Sequence, residues 1–241
     1  MQTFHSQLLN KFPNLTHTFT TINDGNLAFH VGDDEKKVIQ NHQKLAQKLN
    51  YKRETLVHMK QIHSDIVKIV TDDDNFKNPP TCDAIITDKK NIPLMVMVAD
   101  CSPILFYDPE KKVIAVAHAG RAGAFDNIIS NVIESFVDDF SSKREDILVC
   151  IGPAICQNCY EVGEEIYQEA KKLKLEYSLK KEDTKYHLNI RTILYKQLTQ
   201  SNIVDKNIEI SQICSKCNPN YFSYRESIQC GRFCGILLQK S

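Results

Sequence analysis

The chain has 241 residues, and its 30 Lys+Arg against 30 Asp+Glu give a formal net charge of zero, which leaves no surplus of positive charge to coat a nucleic-acid backbone. With 42% apolar and 25% charged residues it is too apolar for a disordered chain and too mixed for a membrane one. Its central apolar run over residues 94–99 falls far short of the roughly 18 residues of a membrane span.

At this length one compact domain over residues 1–241 is the expected organisation. Residues 1–12 lack the basic region and long apolar run of a secretory signal, and no lipidation motif is present, so a cytoplasmic location is expected. There the nine cysteines stay reduced, as core residues, metal ligands or nucleophiles rather than a disulfide framework.

The first periodic segment is Glu35–Leu49, where Val38, Leu45, Ala46 and Leu49 recur at helical spacing behind the capping residues Asp33 and Asp34. Short β-type runs follow at residues 55–59, 65–71, Ala84–Thr87, Leu94–Val98, 104–107 and 113–117, separated by turns such as Asn78-Pro79-Pro80 and Asp108-Pro109. Beyond Gly120 and Gly123, the side chains Phe125, Ile128, Ile129, Val132, Ile133 and Phe136 mark one face of a long amphipathic helix. Residues 147–151 read as a strand, 161–173 and Ile190–Gln200 as helices, and 208–213 and 233–238 as closing strands. Strands and helices mix without strict alternation, which predicts an α+β fold with mixed sheets and flanking helices.

Two strand ends carry the chemistry. The apolar run through Val98 stops at Ala99-Asp100-Cys101 before Ser102-Pro103 redirects the chain, and the run 113–117 stops at His118-Ala119-Gly120 before a helix. If the two strands pair across the turn at Asp108-Pro109, Cys101 and His118 meet, and the glycine turn ahead of the helix offers an anion site. Taken singly, a strand-end cysteine such as Cys101 is most often a small buried apolar residue, and His63, in Gln61-Ile62-His63-Ser64, reads as a hydrogen-bonded turn residue. The pairs Cys156/Cys159 and Cys214/Cys217 have the C-x2-C form of zinc ribbons. However, 54 residues separate them and no glycine knuckle follows either pair, so they read as reduced thiols rather than a metal site.

The order and intervals of several segments resemble the laccase-domain family, once called multicopper polyphenol oxidases and now regarded as purine nucleoside phosphorylases. The segments are His30-Val31-Gly32-Asp33-Asp34, Gln61-Ile62-His63-Ser64, Cys82-Asp83-Ala84, Ala99-Asp100-Cys101-Ser102-Pro103, His118-Ala119-Gly120, Gly152-Pro153-Ala154-Ile155, Tyr160-Glu161-Val162-Gly163, and Phe222-Ser223-Tyr224-Arg225 with Gly231-Arg232. The resemblance implies an α+β sandwich with mixed sheets, in which His63, Cys101 and His118 are catalytic and bind one zinc. Three protein ligands leave zinc's fourth position open for water or substrate, and water so bound is acidified toward neutrality.

The implied activity is phosphorolysis of adenosine, inosine and S-methyl-5′-thioadenosine to the free base and a ribose 1-phosphate, with deamination of adenosine. The implied partners are purine nucleosides and phosphate. Phosphorolysis also needs an anion pocket, for which Arg225 and Arg232 are the candidates because guanidinium groups bind phosphate through paired donors; solvated surface salt bridges are the other reading of both. Two segments depart from the family pattern. Arg121-Ala122 stands where the family usually has Trp-Arg, and Thr20-Thr21-Ile22-Asn23-Asp24-Gly25 replaces Ser-Thr-Arg-x-Gly-Gly. Three further readings compete: a copper-dependent polyphenol oxidase, for which the eight histidines lack any His-x-His pair; a metal-free cysteine hydrolase with Cys101 as nucleophile and His118 as base; and a non-enzymatic binding module stapled by zinc through the C-x2-C pairs.

Overall fold

The computed structural model describes residues 3–241. Among them, twelve strands and five α-helices follow in chain order: β1 Leu15–Phe19, α1 Glu35–Leu49, β2 Val67–Ile69, β3 Ala84–Thr87, β4 Leu94–Val98, β5 Ser102–Asp108, β6 Val113–Ala119, α2 Arg121–Phe125, α3 Ile128–Phe140, β7 Leu148–Ile151, β8 Glu161–Val162, α4 Glu164–Lys172, β9 Leu179–Glu182, β10 Lys185–Leu188, α5 Ile190–Gln200, β11 Ile208–Ile210 and β12 Phe233–Gln239.

A six-stranded mixed sheet in the order β11-β7-β5-β6-β3-β2 faces a three-stranded antiparallel sheet, β1-β12-β4; a small third sheet, β8-β10-β9, stands apart from both. Side chains of adjacent residues in a strand point to opposite faces, and here both faces are buried. Ile104 and Phe106 of β5 and Ala115 and Ala117 of β6 pack under α3 and α5, against Ile129, Val132, Phe136, Ile193 and Leu194. Leu105 and Tyr107, with Ile114 and Val116, pack against Phe19, Val96, Val98, Phe233 and Leu237 of the smaller sheet. The other face of that sheet, Met95, Met97, Cys234 and Ile236, lies under Leu45 of α1 and under Leu27 and Leu56. The result is an α+β sandwich of helix, sheet, sheet and helix, and its central strands are continuous apolar runs because neither face meets water.

Several sequence expectations need correction. Residues 55–59 make one isolated bridge, Val57 to Leu94, after a 3₁₀ turn at Arg53–Thr55. The single long helix expected after Gly120 is two: Asp126 ends α2, and Asn127 in the left-handed region (φ 62°) starts α3, its side chain accepting from the Ser130 amide. The leading piece has only five residues, too short for the sustained dipole that the anion-site reading assumed. Residues 161–162 are strand rather than helix, because Val162 and Glu161 pair with Tyr186 and His187 of β10.

Candidate metal centre and cleft

Cys101 lies where the chain leaves the small sheet for the large one, between β4 and β5. The crossing is made by Asp100 in the left-handed region (φ 84°), a conformation that a non-glycine residue holds only when its surroundings fix it. They do so here, since the buried carboxylate accepts from Ser215 Oγ at 2.6 Å, Ser223 Oγ at 3.0 Å and the Arg225 amide at 2.7 Å. One buried acid therefore sets the position of Cys101 and ties residues 215–225 to it.

β5 and β6 pair antiparallel, with Pro103 opposite His118, so the condition for His118 to emerge beside Cys101 is met. His63 comes from a loop, with φ 60°. Gln61 fastens that loop to β4, its amide donating to the Met97 carbonyl at 2.8 Å and accepting from the Met97 amide at 2.9 Å. The second fastening is Asp83, fully buried just ahead of β3. It accepts from the amides of Ile62, His63 and Ser64 at 3.1, 3.1 and 2.7 Å and from Ser64 Oγ at 2.8 Å. Its Oδ1 also meets His118 Nδ1 at 2.8 Å.

The ligand atoms of His63, Cys101 and His118 lie within 4.8 Å of one another, and the two imidazoles meet edge to face. Gly120 makes room for this, since a Cβ there would come to 2.9 Å from Cys101 Sγ and 3.3 Å from His63 Cδ2. The donor set fits a zinc-type ion: two imidazoles and a thiol are borderline-soft ligands, and a buried carboxylate on Nδ1 leaves the other ring nitrogen of His118 free to coordinate.

Without a metal the electrostatics favour a thiolate–imidazolium pair, Cys101 with His118, backed by the Asp83 carboxylate; a bound ion would displace the imidazolium proton. Burial opposes ionisation of Cys101, but the charge and hydrogen bonds of His118, then His63, outweigh it and bring the thiol down to about 6. Burial likewise disfavours charge on His118, yet the Cys101 thiolate and Asp83 raise it to about 9. Asp83, despite its own burial, is held at about 2 by the hydrogen bonds from His118 and Ser64.

Two cavities flank the centre. One of about 400 Å³ is lined by Cys101, Gly120, Arg121, Tyr160, Tyr224 and Arg225 among others. The second, about 380 Å³, has His30, Gln61, Met97, His118, Tyr224 and Arg232 in its walls. Sharing His30, Gln61 and Met97 with it is a larger, more apolar space of about 760 Å³ that includes Phe29 and Phe76. Arg225 lies over the Tyr160 ring at 5.0 Å, and Arg232 over that of Tyr224 at 5.9 Å. Arg232 also donates through Nη1 to the carbonyls of Cys230 and Gly231, which commits part of its fork.

All five sequence-derived site residues therefore line one cleft. Asp100, Gln61, Tyr160 and Arg121 line it as well, and Asp83 lies buried behind His118; the sequence assigns none of them a role. The signal for Asp83 was a carboxylate flanked by Cys82 and an apolar strand, a setting in which a charge must be paired. The four cysteines of the C-x2-C pairs, read from their spacing as separate thiols, stand instead in one group, with their sulfurs within 4.8 Å of one another.

Residues 17–240 match the family described as multi-copper polyphenol oxidoreductase laccase. A purine nucleoside phosphorylase of Clostridium acetobutylicum is 33% identical over 225 residues, covering 92% of this chain and 91% of that one. An adenosine deaminase from an unknown prokaryotic organism is 32% identical, covering 88% of this chain and 86% of its own length. The crystal structure of YlmD from Geobacillus stearothermophilus superposes with a TM-score of 0.91 at 25% identity, covering 98% of this chain and 94% of that one.

Proposed function

We propose a function from the premise that the chain belongs to the multi-copper polyphenol oxidoreductase laccase family: it is a zinc-dependent purine nucleoside phosphorylase that also deaminates adenosine. One observation carries this reading, the convergence of His63, Cys101 and His118 between two cavities that each present an arginine. A zinc held by these three side chains would have one coordination position left for a small ligand and would supply a Lewis acid beside the substrate.

The chain's own residues supply the rest. With the ion bound, Asp83 would hold the remaining proton of His118 on Nδ1 and leave the other ring nitrogen to coordinate. Arg225, spread on Tyr160 and sharing its cavity with Arg121, offers paired donors to a phosphate. Arg232 adds its uncommitted donors from the other side, and Tyr224 walls both cavities. The apolar space around Met97, Phe29 and Phe76 suits the face of a purine base. A nucleoside laid across the centre would present its sugar to the phosphate side, which is the positioning that an in-line attack on C1′ requires.

The test is product analysis of a nucleoside panel with and without phosphate. Adenine with ribose 1-phosphate is expected only when phosphate is present, inosine from adenosine in either case, and neither from His118→Ala. A cysteine hydrolase has its own support in the Cys101–His118 pair, whose imidazole is oriented by Asp83. Chelator-stripped protein that cleaves amides and ignores nucleosides would select that reading. Copper-dependent phenol oxidation calls for several clustered coppers, whereas the described residues group metal-type ligands at two places, one of them made of cysteine alone.

A further inference from the structure

The second of those places lies outside the catalytic reading. Cys156 caps and Cys159 ends the 3₁₀ turn Gln157–Cys159 after β7, and Cys214 and Cys217 follow β11. β7 and β11 are parallel neighbours, Ile151 opposite Ile210, so both segments leave the same end of the sheet. A bridge between Ala154 and Cys214 continues the pairing. The Cys156 amide then donates to Cys214 Sγ at 3.2 Å, and Cys159 Sγ stands 3.3 Å from Cys217 Sγ.

Sulfurs at the corners of a zinc tetrahedron with Zn–S near 2.3 Å are about 3.8 Å apart. A group whose four Sγ atoms lie within 4.8 Å of one another reaches that arrangement by side-chain adjustment alone. Apolar packing does not account for the group: all four are free, Cys214 is buried but Cys156 and Cys159 are only partly so and Cys217 is exposed, and none belongs to a hydrophobic cluster of the fold. The amide donating to a sulfur is the kind of bond that stabilises a bound thiolate. Arg191 adds a cation beside Cys156 and Cys214, where it donates to the carbonyls of Ala154 and Ile213.

We propose that Cys156, Cys159, Cys214 and Cys217 together bind one structural zinc ion, separate from the catalytic centre. Binding displaces the thiol protons to solvent and involves no redox step. Its position gives it a purpose. Cys159 precedes Tyr160, the ring beneath Arg225, and Cys214 precedes Ser215, which holds Asp100. The ion fixes two walls of the substrate cleft to each other across segments with little regular structure. Four ligands from the chain close its coordination sphere, so it takes no part in chemistry.

Metal analysis of protein purified without added metal separates the two centres. Wild type is expected to carry two zinc ions per chain, Cys101→Ala one, and Cys159→Ser/Cys217→Ser one, the last with a lowered melting temperature. Should the double variant fail to fold, cobalt substitution of Cys101→Ala reads the site in an otherwise intact chain. An intense sulfur-to-cobalt charge-transfer band with tetrahedral ligand-field bands is expected. Folded Cys101→Ala with no metal and no such band overturns the proposal. So does a mass deficit locating disulfides within these four cysteines, or a zinc content that Cys159→Ser/Cys217→Ser leaves at the wild-type value. Wild-type protein that carries this zinc and turns over no nucleoside at any phosphate concentration would refute the catalytic reading alone.

Discussion

Replacing Asp83 with Asn tests how the centre is held. The carboxylate accepts five hydrogen bonds: Oδ2 takes those of the Ile62 and Ser64 amides and of Ser64 Oγ, and Oδ1 those of the His63 amide and His118 Nδ1. An asparagine keeps one acceptor, so the less costly orientation puts its oxygen toward the donors on Oδ2 and its NH₂ toward His63 and His118. The His63 amide then faces a donor, and the new NH₂ donates to His118 Nδ1, moving that ring's proton to the nitrogen that should coordinate. Loss of one charge-assisted bond and exposure of one buried donor to another cost about 2–3 kcal/mol, or roughly 5–10 °C in melting temperature for a chain of this size. The forced tautomer should weaken zinc binding by about 10–100-fold. Chelator competition gives the affinity, and melting of metal-free protein gives the stability without the contribution of bound metal. Wild-type zinc affinity in a normally folded Asp83→Asn protein would refute the ligand role of His118 and the orienting role of Asp83 together.

Arg225→Ala and Arg232→Ala should each raise the phosphate KM, by roughly 10- to 100-fold if one charged hydrogen bond of about 1.5–3 kcal/mol is lost, and steady-state kinetics at varied phosphate reads this. Gly120→Ala puts a methyl 2.9 Å from Cys101 Sγ at a backbone position with φ −83° that alanine tolerates, so it should deplete catalytic zinc while circular dichroism stays unchanged. His42, fully buried, is pushed down to about 4 chiefly by its burial and binds the Leu27 carbonyl through Nε2 at 2.8 Å. Its contribution is complete above the unfolded-state value of 6.5 and is lost as the pH falls toward about 4, a span worth roughly 3 kcal/mol. Urea unfolding between pH 7 and 4.5 should therefore show a steeper loss of stability than in His42→Gln.

The parts of this molecule that read directly from sequence are those whose patterns are local. β3, β4 and the cores of β5 and β6 are unbroken apolar runs closed by turns, and α1 declares itself by period and cap. β1 did not, because Thr16-His17-Thr18 is polar and becomes a strand only by pairing with β12 at the far end of the chain. The β9–β10 hairpin was equally hidden, being largely lysine and glutamate around a left-handed Asp183. At the site, the turn at Asp108-Pro109 allowed a meeting of Cys101 and His118 if their strands paired, which β5 and β6 do, whereas His63 came from the resemblance. Asp100 could not be read from sequence, since its partners lie 115 to 125 residues further on. The C-x2-C pairs show the same limit in another form. Sequence separation is a poor measure of distance when parallel strands carry two segments to one end of a sheet.

The substitution of Arg121-Ala122 for the family's usual Trp-Arg now has a physical content. A cation remains in the cavity but stands one residue earlier, at the start of α2, where Arg121 shares the walls with Tyr160 and Arg225. The aromatic surfaces on that side are Tyr224 and Tyr160, the latter already carrying the Arg225 guanidinium. Arg121 donates through Nη1 to Glu169 Oε2 at 2.6 Å, with the two side chains 31% and 44% exposed. A pair that open to water contributes little, so an incoming phosphate can take the guanidinium from Glu169 at small cost. The carboxylate meanwhile competes for the cation and repels the anion. Glu169→Gln should therefore lower the phosphate KM, and Arg121→Ala should raise it, both with little change in the KM for the nucleoside. Salt should erode the difference, since exposed charges are screened within about 10 Å at 0.1 M. If Arg121→Ala leaves the phosphate KM unaltered while Arg225→Ala raises it, the displaced arginine has become a surface ion pair, and phosphate is held by Arg225 without it.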